Sequence, residues 1–304
     1  MPRSHPLVAL ARLFVFTIVA LLVPAKHWSR VALWIAPILV LTRRSKLAEN
    51  GRRLEGVLNR KFSPAEVREF EAKKSAHGIA TFARIMGHHF SKGLEPEIRI
   101  NGTEYVEDAL KAGQGAIFWI ASLEHMTLIS KMGFAQAGYA VSHLSREGHG
   151  YGTSAFACKY LNHFATDIED RYIRERLTMI RNREMPILRI LRERLKENGL
   201  VSIVVGSDGN QTRTLPCLGG RLKVATGAPN LSFASGAPLL PVFVLRQPDG
   251  SFDMTIDQPL SMPEDDDREQ RTDIVLKELI SRFEPFIVAT PDQWSTWADL
   301  SAAE

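Results

Sequence analysis

The residues best suited to chemistry stand where apolar runs of the chain end. Asp208 lies in Ser207-Asp208-Gly209-Asn210, one residue after the run Leu200–Val205. A carboxylate there can serve a site, although turn formation accounts for the same four residues. Arg246 closes the run Leu239–Leu245, where it can face the crevice in which open α/β sheets bind their ligands. Arg221 and Lys223 can hold phosphates, with solvated loop cations as the alternative. His88-His89 has no third ligand at metal spacing, and Cys158 and Cys217 lie far apart outside any CxxC pattern. Neither a metal site nor a disulfide framework is expected, and no cofactor is implied. No G-x-S-x-G elbow occurs, which disfavours an α/β hydrolase.

These residues need elements to position them. Ser63-Pro64-Ala65-Glu66 predicts a helix start with a capping box, continuing through Val67, Phe70 and Glu71 and resuming after Gly78 with Ile79, Phe82 and Met86. Glu97–Asn101 reads as a short strand ended by Asn101-Gly102, and Thr103 can cap the helix that follows. Gly115–Ala121 is a continuous apolar run of strand length, the pattern of strands covered on both faces. Leu128–Gly138 reads as helix and Tyr139–Leu144 as strand. The Arg- and Glu-rich stretch Ile168–Asn198 reads as a long helical region with a break or kink at Pro186 and a salt-bridged face. Leu200–Val205 and Leu239–Leu245 repeat the buried-strand pattern. The alternation predicts an α/β fold: a mostly parallel central sheet flanked by helices, as one domain over residues 46–304.

Residues 1–45 read differently. Leu7–Pro24 is apolar except for Arg12 and Thr17, about the minimum length, roughly 17 residues, of a spanning helix. After Lys26–Arg30 a second apolar stretch, Val31–Thr42, is interrupted by Pro37 and ended by Arg43 and Arg44. The second is too short to span alone. The pair predicts a membrane-anchoring helix or hairpin, with the following Arg43, Arg44, Lys46, Arg52 and Arg53 placing the body in the cytoplasm. A cleaved signal peptide fits worse, because Val23-Pro24-Ala25-Lys26 is a poor cleavage site, and the plainer alternative, buried core helices of a soluble protein, would rarely need so many Leu, Val, Ile and Phe there. A net charge of +4, with no basic arm or aromatic–basic interleaving, argues against nucleic acid and suits an anionic leaflet.

The order of motifs resembles the lipid A biosynthesis (lauroyl/myristoyl) acyltransferase family of lysophospholipid-acyltransferase-like enzymes. Four pieces carry the resemblance. Ile100–Glu104 with Ala109–Gly115 looks like the lead into the family's catalytic strand, and Ser207–Asn210 resembles its Asp-Gln loop. Leu218–Arg221, Ala225–Leu231 and Gly236–Arg246 follow its pattern closely. Glu284 and Pro291-Asp292-Gln293-Trp294 resemble its C-terminal close. The match spans roughly residues 95–297, and the ordered set is more specific than any piece alone.

The resemblance implies transfer of an acyl chain from acyl carrier protein or acyl-CoA to a hydroxyl of a glycolipid or lysolipid, at the cell inner membrane. It also implies a histidine general base followed four residues later by a carboxylate that orients it. This chain departs from that pattern. Ser122 stands at the histidine position and Thr127 at the acid position, both within reach of substrate by the same alignment. The nearest histidine is His125, and Ser130 follows it where an acid would be needed. If the site has moved along the chain, His125 is the base and Glu124 or Asp208 its partner. If it has degenerated, the chain is a non-catalytic member that binds lipid or a partner. The first reading makes an acyltransferase, the second a binding module.

Overall fold

The computed structural model describes residues 14–15, 17–41, 44–90, 95–150, 155–179, 184–264 and 267–302. Ten strands are described. Seven form one sheet in the order β1 (Ile98–Asn101), β9 (Phe252–Ile256), β8 (Leu239–Arg246), β2 (Ala116–Ile120), β5 (Leu200–Val204), β3 (Val141–Arg146), β4 (Glu175–Met179). All neighbours run parallel except β8 and β9. Every residue of β2 is buried, as the unbroken apolar run requires for a central strand covered on both faces. The mostly parallel α/β sheet flanked by helices is therefore as the sequence predicts. A second sheet, absent from the sequence reading, joins β6 (Thr212–Cys217), β7 (Gly220–Ala225) and β10 (Leu300–Ala302) in the antiparallel order β10-β7-β6.

Three local expectations change. Ile168–Asn198 is not one helical region: it holds the end of a helix, His163–Glu169, then β4, then a helix Glu184–Lys196. β4 is an edge strand paired with β3, so none of its residues is buried, it carries Glu175 and Arg176, and it gives no apolar run to read. Pro186 sits in the first turn of the helix Glu184–Lys196, where a missing N–H costs nothing, rather than at a kink. Thr103 does not cap. Gly102 takes the N-cap position at φ 84°, and a Cβ there would lie 1.8 Å from the Ile256 carbonyl oxygen, so the turn needs glycine twice over.

The long helix Pro64–His89 organises one end of the molecule. Ser63 accepts from the Glu66 amide while the Glu66 carboxylate accepts from the Ser63 amide, closing the expected capping box. The helix passes Gly78 without a break. One of its faces carries Ala76, Ile79, Ala80, Ala83 and Met86, which pack against Val19, Ala20, Trp28, Ala32 and Ala36. The small side chains let the helix Trp28–Leu41 approach closely, and Trp28 is fixed by a 2.9 Å bond from its Nε1 to the Val23 carbonyl.

That packing uses one face of the N-terminal apolar segment. The other leaves Phe14, Leu22, Trp34 and Ile38 exposed, Trp34 by 75%. Among the described residues no helix is long and apolar enough to cross a membrane. Leu7–Leu13 of the expected spanning run lie outside the described residues.

Candidate active site

The parallel strands β2, β5 and β8 end side by side, with Ile120 opposite both Val204 and Val242. The chain leaving β2 turns through Ala121–His125 into the helix Met126–Gln136, and this turn is stitched to the C-terminal Pro291–Ser295 segment. The Glu124 amide donates to the Gln293 carbonyl at 2.7 Å, Leu123 bridges Trp294, and the Ser295 amide and hydroxyl both donate to the Ser122 carbonyl. The Gln293 side chain clamps the end of β8, accepting from the Arg246 amide at 2.8 Å and donating to its carbonyl at 3.0 Å. Pro-Asp-Gln-Trp is thus a brace that fixes two strand ends and, with them, Asp292.

Over these ends lies the second face of the helix Pro64–His89. Lys74, His77, Thr81, Arg84 and His88 follow one another at alternating spacings of three and four residues, so they share a stripe. His125 meets that stripe. It is 3% exposed, with Nε2 3.0 Å from His77 Nδ1 and Nδ1 3.0 Å from the Thr81 hydroxyl. His77 Nε2 lies 2.8 Å from Asp292 Oδ2. One chain of hydrogen bonds therefore joins Thr81, His125, His77 and Asp292.

The polarity of this chain follows from its ends. Asp292 is held below the ordinary carboxylate range: burial works against its charge, but the hydrogen bond and charge of His77 outweigh burial. An ionised Asp292 accepts, so His77 Nε2 carries a proton, and whenever the ring holds only that one its Nδ1 is left to accept. His125 then donates from Nε2, and its lone pair at Nδ1 receives the Thr81 hydroxyl. His125 itself is kept neutral, because burial, then His77, Arg246 and Arg84, press its basicity well below that of a free imidazole.

The sequence-derived candidates separate into those gathered here and those elsewhere. His125 is at the centre, and Arg246, half-buried at the end of β8, adds to the positive field around it. Glu124 does not partner His125, whose two ring nitrogens go to His77 and Thr81. Its carboxyl is half-buried, and burial raises its pKa to about 7, with Lys74 opposing and Asp292 and Glu71 reinforcing the shift. Asp208 is no partner either. It is exposed and accepts from Arg146 at 2.7 Å, which holds it against the end of β3. Ser122 is fully buried and its hydroxyl donates to the Val205 carbonyl, so it ties β2 to β5. Thr127 is half-buried in the first turn of the helix Met126–Gln136. Arg221 and Lys223 project from β7 in the second sheet, exposed, with Arg221 donating to the Thr214 carbonyl, and they are not brought to His125.

Sequence reasoning missed His77, Thr81 and Arg84. The signal was the polar stripe at helical spacing inside a segment already read as helix. In the sequence Asp292 stands out only as part of the Pro291-Asp292-Gln293-Trp294 motif. Among the described residues no three His, Cys, Asp or Glu side chains stand where they could share a metal ion.

A buried imidazole that is neutral, hydrogen-bonded through a second imidazole to a carboxylate, can accept a proton and move the resulting charge away from itself. Residues 73–298 match the family described as bacterial lipid A biosynthesis acyltransferase. No curated protein matches the sequence. Among solved structures the chain resembles the 1-acyl-sn-glycerophosphate (LPA) acyltransferase PlsC from Thermotoga maritima, with 13% identity and a TM-score of 0.39 over 87% of this chain and 99% of that one. Since the family match takes in most of its length, this chain belongs to the bacterial lipid A biosynthesis acyltransferase family.

Proposed function

We propose that the chain is a membrane-bound acyltransferase that moves a fatty acyl chain from a thioester, on acyl carrier protein or CoA, to a hydroxyl of a glycolipid or lysolipid. The observation that carries this reading is the chain of bonds from His125 through His77 to Asp292. The acceptor hydroxyl takes the place of the Thr81 hydroxyl at His125 Nδ1 and gives up its proton there. The Nε2 proton of His125 passes to His77 Nδ1, and the charge comes to rest on His77 beside the Asp292 carboxylate. The acceptor oxygen attacks the thioester carbonyl, the C–S bond breaks, and the leaving thiolate takes a proton back along the same chain. A lone His125 would have to hold its charge in a dry place beside two arginines, and the second histidine removes that cost.

The exposed apolar face of Phe14, Leu22, Trp34 and Ile38 supports attachment at a bilayer surface. The Lys and Arg residues that follow the apolar runs are the reason for placing the body, in this reading, at the cytoplasmic side of the cell inner membrane. Residues 1–45 then form the anchor and residues 46–304 the catalytic domain. Arg221 and Lys223, exposed on β7, are in this reading contacts for phosphates of the donor or of the leaflet rather than of the reacting centre.

The test is transfer by the purified protein in detergent, supplied with acyl carrier protein or CoA thioesters and lysolipid or glycolipid acceptors. His125→Ala and Asp292→Asn should each lower turnover by about 10²–10⁴-fold, the range for general base catalysis, and together by little more than either alone. A His125→Ala protein as active as the parent would sink the reading. One observation favours the second reading, a non-catalytic module that binds lipid or a partner: His125 is almost wholly buried and both its nitrogens are satisfied inside the protein. That reading predicts lipid binding without transfer in the same assay.

A further inference from the structure

The carboxyl end of the parallel strands holds the candidate active site, and the amino end of β8 holds an opening of a different kind. The helix Gly227–Ser235 ends at Gly236 with φ 76°, and the chain turns there through Ala237 and Pro238 into β8. The segment that leaves β9 returns to the same edge, where the Leu260 amide donates to the Leu239 carbonyl at 2.9 Å. Between these two stretches and the start of the helix Arg268–Ala289 lies a cleft of about 600 Å³. At ~3.3 Å per residue, the seven steps from Leu239 to Arg246 put it about 23 Å from the strand end beside His125. The two sites are separate.

Its walls are mostly apolar, from Phe233, Pro238, Leu260, Met262 and Pro263. Two charged residues complete it, the half-buried Arg271 and the exposed Glu264. The Arg271 guanidinium carbon lies 4.8 Å from the centroid of the Phe233 ring, so the fork rests against an aromatic wall. Its Nε is buried without a hydrogen-bond partner, and among the described residues no carboxylate pairs with it. Acids of the same helix face other groups. Glu269 and Asp273 lie 2.6 and 3.5 Å from Arg213, and Glu278 pairs with Arg282 and accepts from the Ser261 amide. The Ser232 hydroxyl, also in the lining, donates to the Ala237 carbonyl at 2.6 Å. A buried N–H without an acceptor is destabilising in a fold that satisfies nearly all its buried donors, and a ligand that brings the acceptor removes that penalty.

We infer that this cleft binds an amphipathic monocarboxylate, an aliphatic chain ending in one carboxylate, with the carboxylate on Arg271 and the chain along Phe233, Leu260, Met262 and Pro263. The charges select the head. A guanidinium fork matches a carboxylate with two parallel hydrogen bonds, and a single negative charge is enough to answer Arg271. A dianion such as a phosphate monoester would bring a second charge toward Glu264, with no further unpaired cation in the lining to meet it. The walls select the body, because apolar side chains with few free polar groups gain by covering aliphatic carbon. Occupancy of the cleft does not depend on the acyltransferase reading.

The experiment is a calorimetric titration of the full-length protein in nonionic detergent, with octanoate as the probe and the heat of a protein-free titration subtracted. Arg271→Gln should weaken octanoate binding by about 10–100-fold, as expected for the loss of charge-assisted hydrogen bonds to one carboxylate. Arg271→Lys keeps the charge without the fork and should fall between, which guards against a glutamine variant that fails to fold. Octanol has the chain without the charge and should bind about 10-fold more weakly than octanoate, or worse. From butyrate through hexanoate to octanoate the affinity should rise by up to roughly fourfold for each methylene buried. Octyl phosphate should bind the parent more weakly than octanoate does, and Glu264→Gln should narrow that gap. Octanoate binding that is absent, undiminished in Arg271→Gln or matched by octanol would overturn the site. An affinity independent of chain length would overturn the aliphatic occupant, and tighter binding of octyl phosphate to the parent would overturn the choice of a monoanion.

Discussion

Glu124 offers the sharpest quantitative test of how the site is built. Its carboxyl has a pKa of about 7 in the fold against an ordinary value of 4.5, chiefly because burial disfavours its charge. The folded state therefore holds this proton more tightly than the unfolded chain does. Below pH 4.5 the group is neutral in both states and contributes no difference. As pH rises from 4.5 the unfolded chain ionises first, so the fold loses stability through this group until pH passes about 7, after which the penalty is constant. Each tenfold difference in proton affinity is worth ~1.36 kcal/mol, which sets the full penalty near ~3 kcal/mol, of which ~2.5 kcal/mol falls between pH 5 and 8. Replacing Glu124 by Gln removes the titration and keeps the shape. The stability of Glu124→Gln relative to the parent, from urea unfolding, should rise by ~2.5 kcal/mol across that interval. The attraction of Lys74 for the ionised carboxylate opposes the shift and is already contained in the value of about 7, so it adds nothing separate to the slope. Parallel stability curves from pH 5 to 8, differing in level but not in slope, would refute the argument that this carboxyl is desolvated.

Two further substitutions probe the scaffold. Lys131 is fully buried and paired with Glu169, which Arg176 at 2.9 Å and His149 at 3.0 Å also serve. Lys131→Met should cost about 3–5 kcal/mol in urea unfolding by leaving a buried carboxylate undercompensated, and adding Glu169→Gln should recover part of that loss rather than double it. A Cβ on Gly87 would stand 2.2 Å from Cη2 of Trp28, so Gly87→Ala should loosen the packing of the helix Trp28–Leu41 on the helix Pro64–His89. The cost should be about 1–3 kcal/mol, with faster tryptic cleavage at Arg30 as the direct readout.

How far this molecule can be read from its sequence differs between frame and site. β2, β5 and β8 were legible because a strand buried on both faces needs an unbroken apolar run, and Ala116–Ile120 is one. The capping box at Ser63 was legible because its logic is local. β4 was not, since an edge strand tolerates Glu175 and Arg176, and the second sheet was not, since β7 alternates exposed Arg221 and Lys223 with buried Leu222 and Val224 over six residues. The site failed for another reason. Its partners come from positions 77, 81, 125 and 292, and nothing in the sequence reports that a helix forty residues upstream will lie across the end of β2. A search for an acid near His125 in the chain could return only Glu124, which the fold turns toward Lys74 and keeps half-protonated near neutrality.

Burial, and then the charges of His77, Arg246 and Arg84, disfavour an imidazolium at His125. Taken alone, that ring is a poor place to leave a proton. The second ring changes the balance, because a proton taken up at Nδ1 of His125 can displace the one at Nε2 onto His77, 3.0 Å away, and His77 faces Asp292 at 2.8 Å. In the reading proposed above, the proton moves one ring further and the charge settles beside a carboxylate rather than in the dry centre of the site. Such an arrangement has no need of a carboxylate four residues after its histidine, because the acid comes from the C-terminal segment through a helix that lies across the strand ends.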